Sequence, residues 1–326
     1  MTRLGRFAAK TDPGRKRRGN EDAFVCKPPL FAIADGMGGA QAGEVASALA
    51  ADALRERPEG ANVTDLIQEA NRRVHNRAST DASTSGMGTT ITAAIVEDDG
   101  TIIFGHVGDS RAYLLREDRL EQVTNDHSLV AELVRRGELS PAEAEVHPQR
   151  SVITRALGTD PNIDVDTFAI EAKPGDLYLI CSDGLSDMVD GGDIEVILRT
   201  HRSNLDEAAR ALIQAANRAG GEDNITAVLF ETVGDEEPDE TTREYSGPAA
   251  VPGQETATLH PEDHVTPPPP APAADDTMVV RVEQLTAEEE AEEEFEAGIG
   301  RRMLALAVII ALCVLIVVLV WWGLAR

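Results

Sequence analysis

Aromatic side chains, cysteines and basic residues are all scarce in this chain of 326 residues. Aromatic residues make up 4 % of it, and its three cysteines are Cys26, Cys181 and Cys313. An odd number of widely spaced cysteines excludes a disulfide framework and a cysteine-rich zinc site. Against 57 Asp and Glu stand only 30 Lys and Arg, a net charge of −27, so nucleic acid is not an expected partner. No apolar stretch follows the N-terminal residues, and we expect no secretory signal.

Charge and proline divide the chain into three parts. Residues 1–234 are mixed in composition, with a net charge of −13, and we predict that they form the folded catalytic domain. Residues 235–300 hold 19 acidic side chains, two basic ones and nine of the 17 prolines. Such a segment buries too little apolar surface to offset its ordering entropy, so we predict a disordered linker over 235–302. Within it, residues 277–281 (TMVVR) are more apolar, either by chance or as a docking or phosphorylation site at Thr277.

The third part is long, apolar and uncharged. Residues 303–322 contain no charged side chain, and a helix of that length spans ~30 Å, the thickness of a bilayer's hydrocarbon core. The alternative is a buried core helix, but the acidic linker offers no domain to bury it. We therefore predict one transmembrane helix over 303–323. Two arginines precede this helix and one follows it, which favours a single-pass protein of the cell membrane with its catalytic domain in the cytoplasm.

Periodicity in the first 234 residues predicts a mixed α+β domain. Strand-like runs over 89–96, 102–106 and 111–115 follow one another closely, and a turn at 97–100 joins the first two. Helical periodicity marks residues 42–55, 64–78 and 204–219. Consecutive strands joined by tight turns indicate antiparallel sheets, with the helices packed around them.

Acidic residues recur at the ends of apolar runs. They are Asp22 with its neighbour Glu21, Asp35, Asp109, Asp183 and Asp223. Any one of them could simply be part of a turn, since Asp-Gly pairs favour turns. Five converging carboxylates, however, would repel one another unless a shared divalent cation offset their charge. An all-oxygen set favours magnesium or manganese, and the glycines after Asp35 would let a backbone carbonyl act as a further ligand.

One basic cluster stands out in this acidic chain. Residues 15–18 read Arg-Lys-Arg-Arg and directly precede the Asn-Glu-Asp of 20–22. The cluster is either a solvated stretch or a phosphate-binding element, because a guanidinium group can bind phosphate with two hydrogen bonds.

Taken in order, these pieces resemble the metal-dependent serine/threonine protein phosphatases of the protein phosphatase 2C type, in their bacterial branch. The resemblance covers residues from about 5 to 233, and eight short motifs carry it. These motifs are TDPG through Arg17 to NED at 11–22, ADGMGG at 34–39, GMGTT at 86–90, HVGDSR at 106–111, DHS at 126–128, ITRALG at 153–158, SDGL at 182–185 and EDNIT at 222–226.

The resemblance implies a β-sandwich of two antiparallel sheets flanked by helices on both faces, with two or three Mn²⁺ or Mg²⁺ ions in the cleft between the sheets. Asp35 would touch two ions and the Gly36 carbonyl one of them. Asp183 and Asp223 would complete the coordination of the other ion. Asp22 and Glu21 would bind an ion directly or lie just behind the residues that do. Asp109 would, with Asp183, hold a third ion, and Arg17 would bind the substrate phosphate. Residues 137–152 would form a flap beside the cleft.

The implied reaction is hydrolysis of phosphoserine and phosphothreonine by a metal-activated water. Expected partners are phosphorylated proteins, in particular bacterial Ser/Thr protein kinases and their substrates. Two alternatives remain: a phosphoprotein-binding pseudophosphatase, and a hydrolase of small phosphoesters. The general acid is also open, because Met37 and Ala40 stand where relatives often carry histidine. Metal-bound water, His106 and His127 are the candidates.

Overall fold

A computed structural model describes residues 2–38, 42–58, 60–234 and 278–279. All of the described residues belong to one compact unit, Met1–Val279. Within the described residues no helix is both long and apolar enough to cross a membrane. The predicted transmembrane helix, Thr277, and the linker other than residues 278–279 lie outside the described residues, as do Ala40 and Cys313.

Thirteen strands and seven helices make up the described part of the chain. The strands are β1 Thr2–Asp12, β2 Asp22–Lys27, β3 Leu30–Met37, β4 Gly88–Thr89, β5 Ile91–Val96, β6 Thr101–Val107, β7 Arg111–Arg116, β8 Arg119–Gln122, β9 Val152–Ile153, β10 Asp166–Glu171, β11 Leu177–Cys181, β12 Ile225–Gly234 and β13 Met278–Val279. The helices are α1 Ala42–Arg55, α2 Val63–Thr80, α3 Leu129–Arg136, α4 Pro141–Glu145, α5 Asp183–Ser186, α6 Gly191–Thr200 and α7 Leu205–Ala219.

Two antiparallel sheets form the centre of the domain. The first has the order β1-β12-β11-β7-β8, and the second has the order β10-β6-β5-β3-β2, with β4 paired to β3. Aromatic rings fill the space between the sheets. Phe31 of the second sheet stacks on Phe230 of the first, with ring centroids 4.4 Å apart, and Tyr178 also stacks on Phe230 at 5.0 Å. The few aromatic residues of the chain thus join the two sheets.

Each sheet also packs against helices on its outer face. Ala46, Ala50 and Leu54 of α1 join Ile67 and Val74 of α2 in one apolar cluster with the second sheet. A separate cluster joins α6 and α7 to the first sheet. The predicted α+β fold, a sandwich with helices on both faces, is therefore confirmed.

Two local features differ from the sequence-based expectation. The first strand, β1, was not predicted, because its charged residues interrupt the alternation of apolar and polar residues that is typical of a strand. It pairs antiparallel with β12 along most of its length. The run predicted over 89–96 is two strands, β4 and β5, separated at Thr90. The N–H of Thr90 donates to the carbonyl of Asp35 (2.9 Å) and its hydroxyl accepts from the Asp35 N–H (3.0 Å), so Thr90 is tied to the end of β3.

Candidate metal centre

Strand register in the first sheet brings three of the predicted acids to one edge. Cys181, the last residue of β11, is paired with Arg111 at the start of β7 and with Ala227 near the start of β12. Since these pairs are antiparallel, the segment after β11 and the segments before β7 and β12 all leave the sheet at the same edge. Those segments carry Asp183, Asp109 and Asp223, respectively.

The second sheet supplies the other acids. Asp22, which begins β2, lies directly opposite Asp35 of β3. The next residue, Gly36, is closely packed: a Cβ placed there would lie 2.1 Å from the carbonyl oxygen of Gly43 in α1 and 2.7 Å from that of Glu21. The N–H of Gly36 also donates to the Glu21 carbonyl (3.2 Å). Glycine is required at this position because helix and loop both approach the strand there.

The carboxylates lie close enough to affect one another's ionisation. Burial, followed by the negative charges of Asp22, Asp183, Asp223 and Asp109, raises the pKa of Asp35 well above its usual value. Burial, followed by the charges of Asp109 and other aspartates, raises the pKa of Asp183 in the same way. Burial also raises the pKa values of Asp22 and Asp109 to about 7. The structure therefore brings the five predicted aspartates together into one mutually repelling cluster.

The chemistry of this cluster fits a hard divalent cation. Asp109 and Asp183 each have a buried carboxylate oxygen, Oδ1, with no hydrogen-bond partner in the described part of the chain. Buried polar atoms are normally paired, and oxygen donors carrying negative charge are what Mg²⁺ and Mn²⁺ prefer. Among the described residues, no three His, Cys, Asp or Glu side chains form a ready-made coordination group. The ligand roles of Asp22, Asp35, Gly36, Asp109, Asp183 and Asp223 therefore stay predictions.

Protein groups hold two of these carboxylates in place. Oδ2 of Asp22 accepts hydrogen bonds from the hydroxyls of Ser182 (2.8 Å) and Thr226 (2.6 Å), both in the first sheet or directly after one of its strands. Oδ2 of Asp223 accepts one from Nη2 of Arg17 (2.7 Å). The two sheets are thus tied together across the cluster. Ser182 belongs to the SDGL motif at 182–185, but nothing in its spacing predicts a contact with Asp22.

The loop that carries Arg17 is fastened to the same cluster. The side chain of Asn224 accepts from the N–H of Glu21 (2.7 Å) and donates to the carbonyls of Pro13 (3.0 Å) and Gly19 (2.9 Å). These three bonds close the loop around the start of β12. Arg17, with about a third of its side chain exposed, is therefore held where solvent and the aspartates meet, which is the arrangement needed to bind a phosphate.

A cleft of about 830 Å³ opens from the cluster. Asp109 and Asp183 line one part of it, and residues of α3, α4 and the segment to 151 line another, so the predicted flap over 137–152 does lie beside the cleft. Asp187, Asp126 and Arg111 also line it, and sequence reasoning gave none of them a role. Asp187 could have been noticed, because its spacing of four from Asp183 places both residues on one helical face.

The two candidate histidines are buried and already engaged. Nε2 of His106 donates to the carbonyl of Asn125 (3.0 Å), and burial lowers the pKa of His106 to about 4. Nδ1 of His127 accepts from the N–H of Gly108 (3.0 Å), while its Nε2 lies 3.2 Å from Oδ2 of Asp166. These contacts favour the structural interpretation of both residues.

Three further residues are part of the hydrophobic packing. Met37 is buried and packs with Ile153 and Ala156. Cys181 is buried and Cys26 half-buried, both as free thiols, and burial raises the pKa of each to about 12. Neither thiol is therefore a candidate nucleophile near neutral pH.

Asp109→Ala is expected to weaken the binding of one ion and to leave the binding of the others unchanged. Asp109 stands two residues before β7, and the resemblance assigns it with Asp183 to a third ion only. Metal content after gel filtration should therefore stay at two ions per chain, while calorimetric titration with Mn²⁺ loses its weakest step. Asp98→Ala, the same change in the exposed β5–β6 turn, is the matched control. Loss of both tightly bound ions would show that Asp109 belongs to the main pair.

The sandwich and its acidic cleft define the class of a metal-dependent hydrolase, and comparison with known proteins agrees. Residues 19–135 match the family Protein phosphatase 2C. The serine/threonine phosphatase stp of Listeria innocua is 42 % identical over 238 residues, covering 68 % of this chain and 94 % of that protein. The serine/threonine protein phosphatase PstP of Mycobacterium tuberculosis is 40 % identical over 240 residues, covering 72 % of this chain and 46 % of that protein.

The fold is shared with a solved relative as well. A crystal structure of the catalytic domain of PstP in complex with two manganese ions has a TM-score of 0.65 and 37 % identity, and the match covers 72 % of this chain and 100 % of that one. The chain therefore belongs to the protein phosphatase 2C family, and the predicted class, a protein-serine/threonine phosphatase, is confirmed. The predicted Mn²⁺ or Mg²⁺ cofactor is confirmed for the family; a third ion stays a prediction.

Proposed function

We propose that this protein is a membrane-tethered phosphatase that removes phosphate from phosphoserine and phosphothreonine in proteins and opposes bacterial Ser/Thr protein kinases. The observation that carries the catalytic part is the convergence of five strand-end aspartates, each predicted beforehand, at one edge of the sandwich in a chain of this family. All three residues whose loss would favour a pseudophosphatase, Asp35, Asp183 and Asp223, are present.

The residues divide the work between binding ions and binding substrate. Asp35, Asp183 and Asp223, with Asp22 and the Gly36 carbonyl, would hold the cations. Bound Mn²⁺ or Mg²⁺ supplies Lewis-acid activation of water and neutralises phosphate charge. Arg17 would bind the phosphate oxygens through its guanidinium group, and its bond to Asp223 orients that group towards the cluster.

The lining of the cleft favours protein substrates. Residues of α3 and α4 line one part of it, and this segment provides a wall against which a peptide could lie. The direct test compares a phosphothreonine peptide with free phosphothreonine in the presence of Mn²⁺. A higher kcat/KM for the peptide supports the proposal. Equal values would favour the small-phosphoester hydrolase, and phosphopeptide binding without turnover would favour the pseudophosphatase.

Arg17→Ala is expected to raise the KM for phosphopeptide by about tenfold or more and to lower kcat less. Arg17 would contact phosphate in both the ground and the transition state, so most of its contribution is uniform binding. Steady-state kinetics on the peptide provides the measurement. Arg18→Ala, which removes the exposed neighbour in the same basic cluster, is the matched control. An unchanged KM with a much lower kcat would instead place Arg17 in transition-state stabilisation.

The membrane part of the proposal is supported by composition alone. An uncharged stretch over 303–322, preceded by two arginines, is typical of a cytoplasm-facing anchor. Membrane kinases and their substrates are then the phosphoproteins that lie at the same membrane surface as this enzyme. Fractionation of cells that express the full chain tests the location.

A further inference from the structure

A short segment of the acidic tail is paired with the catalytic domain. Met278 and Val279 form β13, which lies parallel to β9, with Met278 opposite Val152 and Val279 opposite Ile153. These two residues belong to the same compact unit as the catalytic domain. They are also the centre of the only part of the tail that stood out by composition, the apolar residues 277–281. Composition and backbone pairing therefore point to the same segment.

In the described part of the chain, β13 is the strand that pairs with one edge of β9. On its other edge, Ile153 is paired antiparallel with Ser128, and the N–H of Thr154 donates to the His127 carbonyl (2.9 Å). Successive residues of a strand direct their backbone groups to opposite edges, so the N–H and C=O of Ile153 point towards β13. With β13 in place Ile153 is 1 % exposed, so in the paired state its N–H is shielded from water and its hydrogen bonding is satisfied within the parallel ladder rather than by solvent.

The strand β9 directly follows two residues of the cleft wall. Arg150 and Ser151, which directly precede β9, line the cleft together with Asp109 and Asp183. On its inner side Ile153 packs with Met37, the residue that follows Gly36 at the candidate metal centre. A peptide added to β9 is thus positioned at the wall of the cleft, one side chain away from the strand that carries Asp35.

From these contacts we propose that the tail segment β13, Met278–Val279, acts as an intramolecular ligand of β9 and competes with phosphopeptide substrates for the adjoining wall of the cleft. The binding mode is addition of a strand to an exposed edge, in which backbone hydrogen bonds supply affinity and the sequence tolerates variation. A tethered segment acts at a high effective concentration, so even a short pairing can occupy the edge. The competition rests on the proposed phosphatase function, whereas the docking does not.

The docking is tested by hydrogen exchange in the full chain. In the double variant Met278→Pro, Val279→Pro, two backbone donors are removed and φ is fixed, so β13 cannot form its ladder. The amide of Ile153 should then exchange at least about tenfold faster. The matched control, Ala249→Pro with Ala250→Pro, places the same two prolines elsewhere in the tail and should leave exchange unchanged. Equal exchange at Ile153 in all three proteins would overturn the docking.

The competition is tested by kinetics on the same three proteins. The double variant at 278–279 should show a KM for phosphothreonine peptide at least about threefold lower than that of the wild type, with unchanged kinetics on p-nitrophenyl phosphate. A synthetic peptide of residues 272–284 added to the double variant should restore both the slow exchange and the higher KM. Faster exchange with an unchanged KM would overturn the competition. If the wild type hydrolyses neither substrate with Mn²⁺, the proposed function fails, while exchange at Ile153 still decides the docking.

Discussion

Asp35→Asn should lower kcat on a phosphothreonine peptide by about a thousandfold or more at saturating Mn²⁺. The ionisation of Asp35 is affected by all four other aspartates of the cluster. The resemblance implies that Asp35 binds two ions rather than one. Removing its charge therefore weakens both ion sites at once. Steady-state kinetics measures the effect, with Asp98→Asn in the exposed β5–β6 turn as control. Activity within about threefold of the wild type would refute the two-ion assignment.

The same variant should stabilise the metal-free protein although it lowers kcat. A stability measurement therefore distinguishes the loss of a metal ligand from the loss of the fold. A carboxyl group whose pKa is raised by folding destabilises the folded state once pH exceeds its unfolded value of about 4. In EDTA at pH 8, Asp35→Asn should therefore unfold at a higher temperature than the wild type, and the difference should shrink as pH falls towards 4. Added Mn²⁺ should raise the Tm of the wild type by roughly 5–10 °C and that of the variant much less. A variant less stable than the wild type in EDTA would contradict this electrostatic account.

The acidic cluster was predictable because each aspartate marks a strand end. Asp35, Asp183 and Asp223 adjoin apolar runs that are recognisable in the sequence, and antiparallel register then brings the ends together. What the spacing could not show is how the cluster is held. The hydrogen bonds from Ser182 and Thr226 to Asp22 cross between the sheets and join residues more than 150 positions apart. Only the packing of the two sheets makes those contacts.

Strand β1 and the pairing of the tail were hidden for a related physical reason. β1 contains several charged side chains, among them Arg6, which forms an ion pair with Glu231 of β12, so its apolar alternation is weak. β9 and β13 are two residues long each, too short for any periodicity to register. Their partner is chosen by backbone geometry at Ile153 rather than by side-chain pattern. In both cases the pairing depends on a partner strand that is distant in the sequence, so the local residues alone do not predict it.

The predicted anchor gives the largest expected change in location. Removing residues 301–326 should shift the protein from the membrane to the soluble fraction of a cell lysate, because the uncharged stretch over 303–322 is the only long apolar run in the sequence. Deletion of residues 240–265 removes the same length from the acidic tail, leaves the apolar stretch intact and is the matched control. A truncated protein that still sediments with membranes would refute the anchor.

Removing the anchor should separate catalysis from access to substrate. The kcat on a small phosphoester should stay within about twofold of the full-chain value, since the deletion leaves both the catalytic domain and the β13 segment that pairs with it intact. Dephosphorylation of a membrane-bound kinase in cells should slow markedly, because anchoring confines enzyme and substrate to one surface and raises their effective concentration. Soluble phosphoproteins should be affected much less, and the net charge of −17 over 235–300 should hold the intact domain away from an anionic leaflet. A truncated enzyme that loses kcat on the small phosphoester would show instead that the removed residues contact the catalytic domain, so that the tether is not passive.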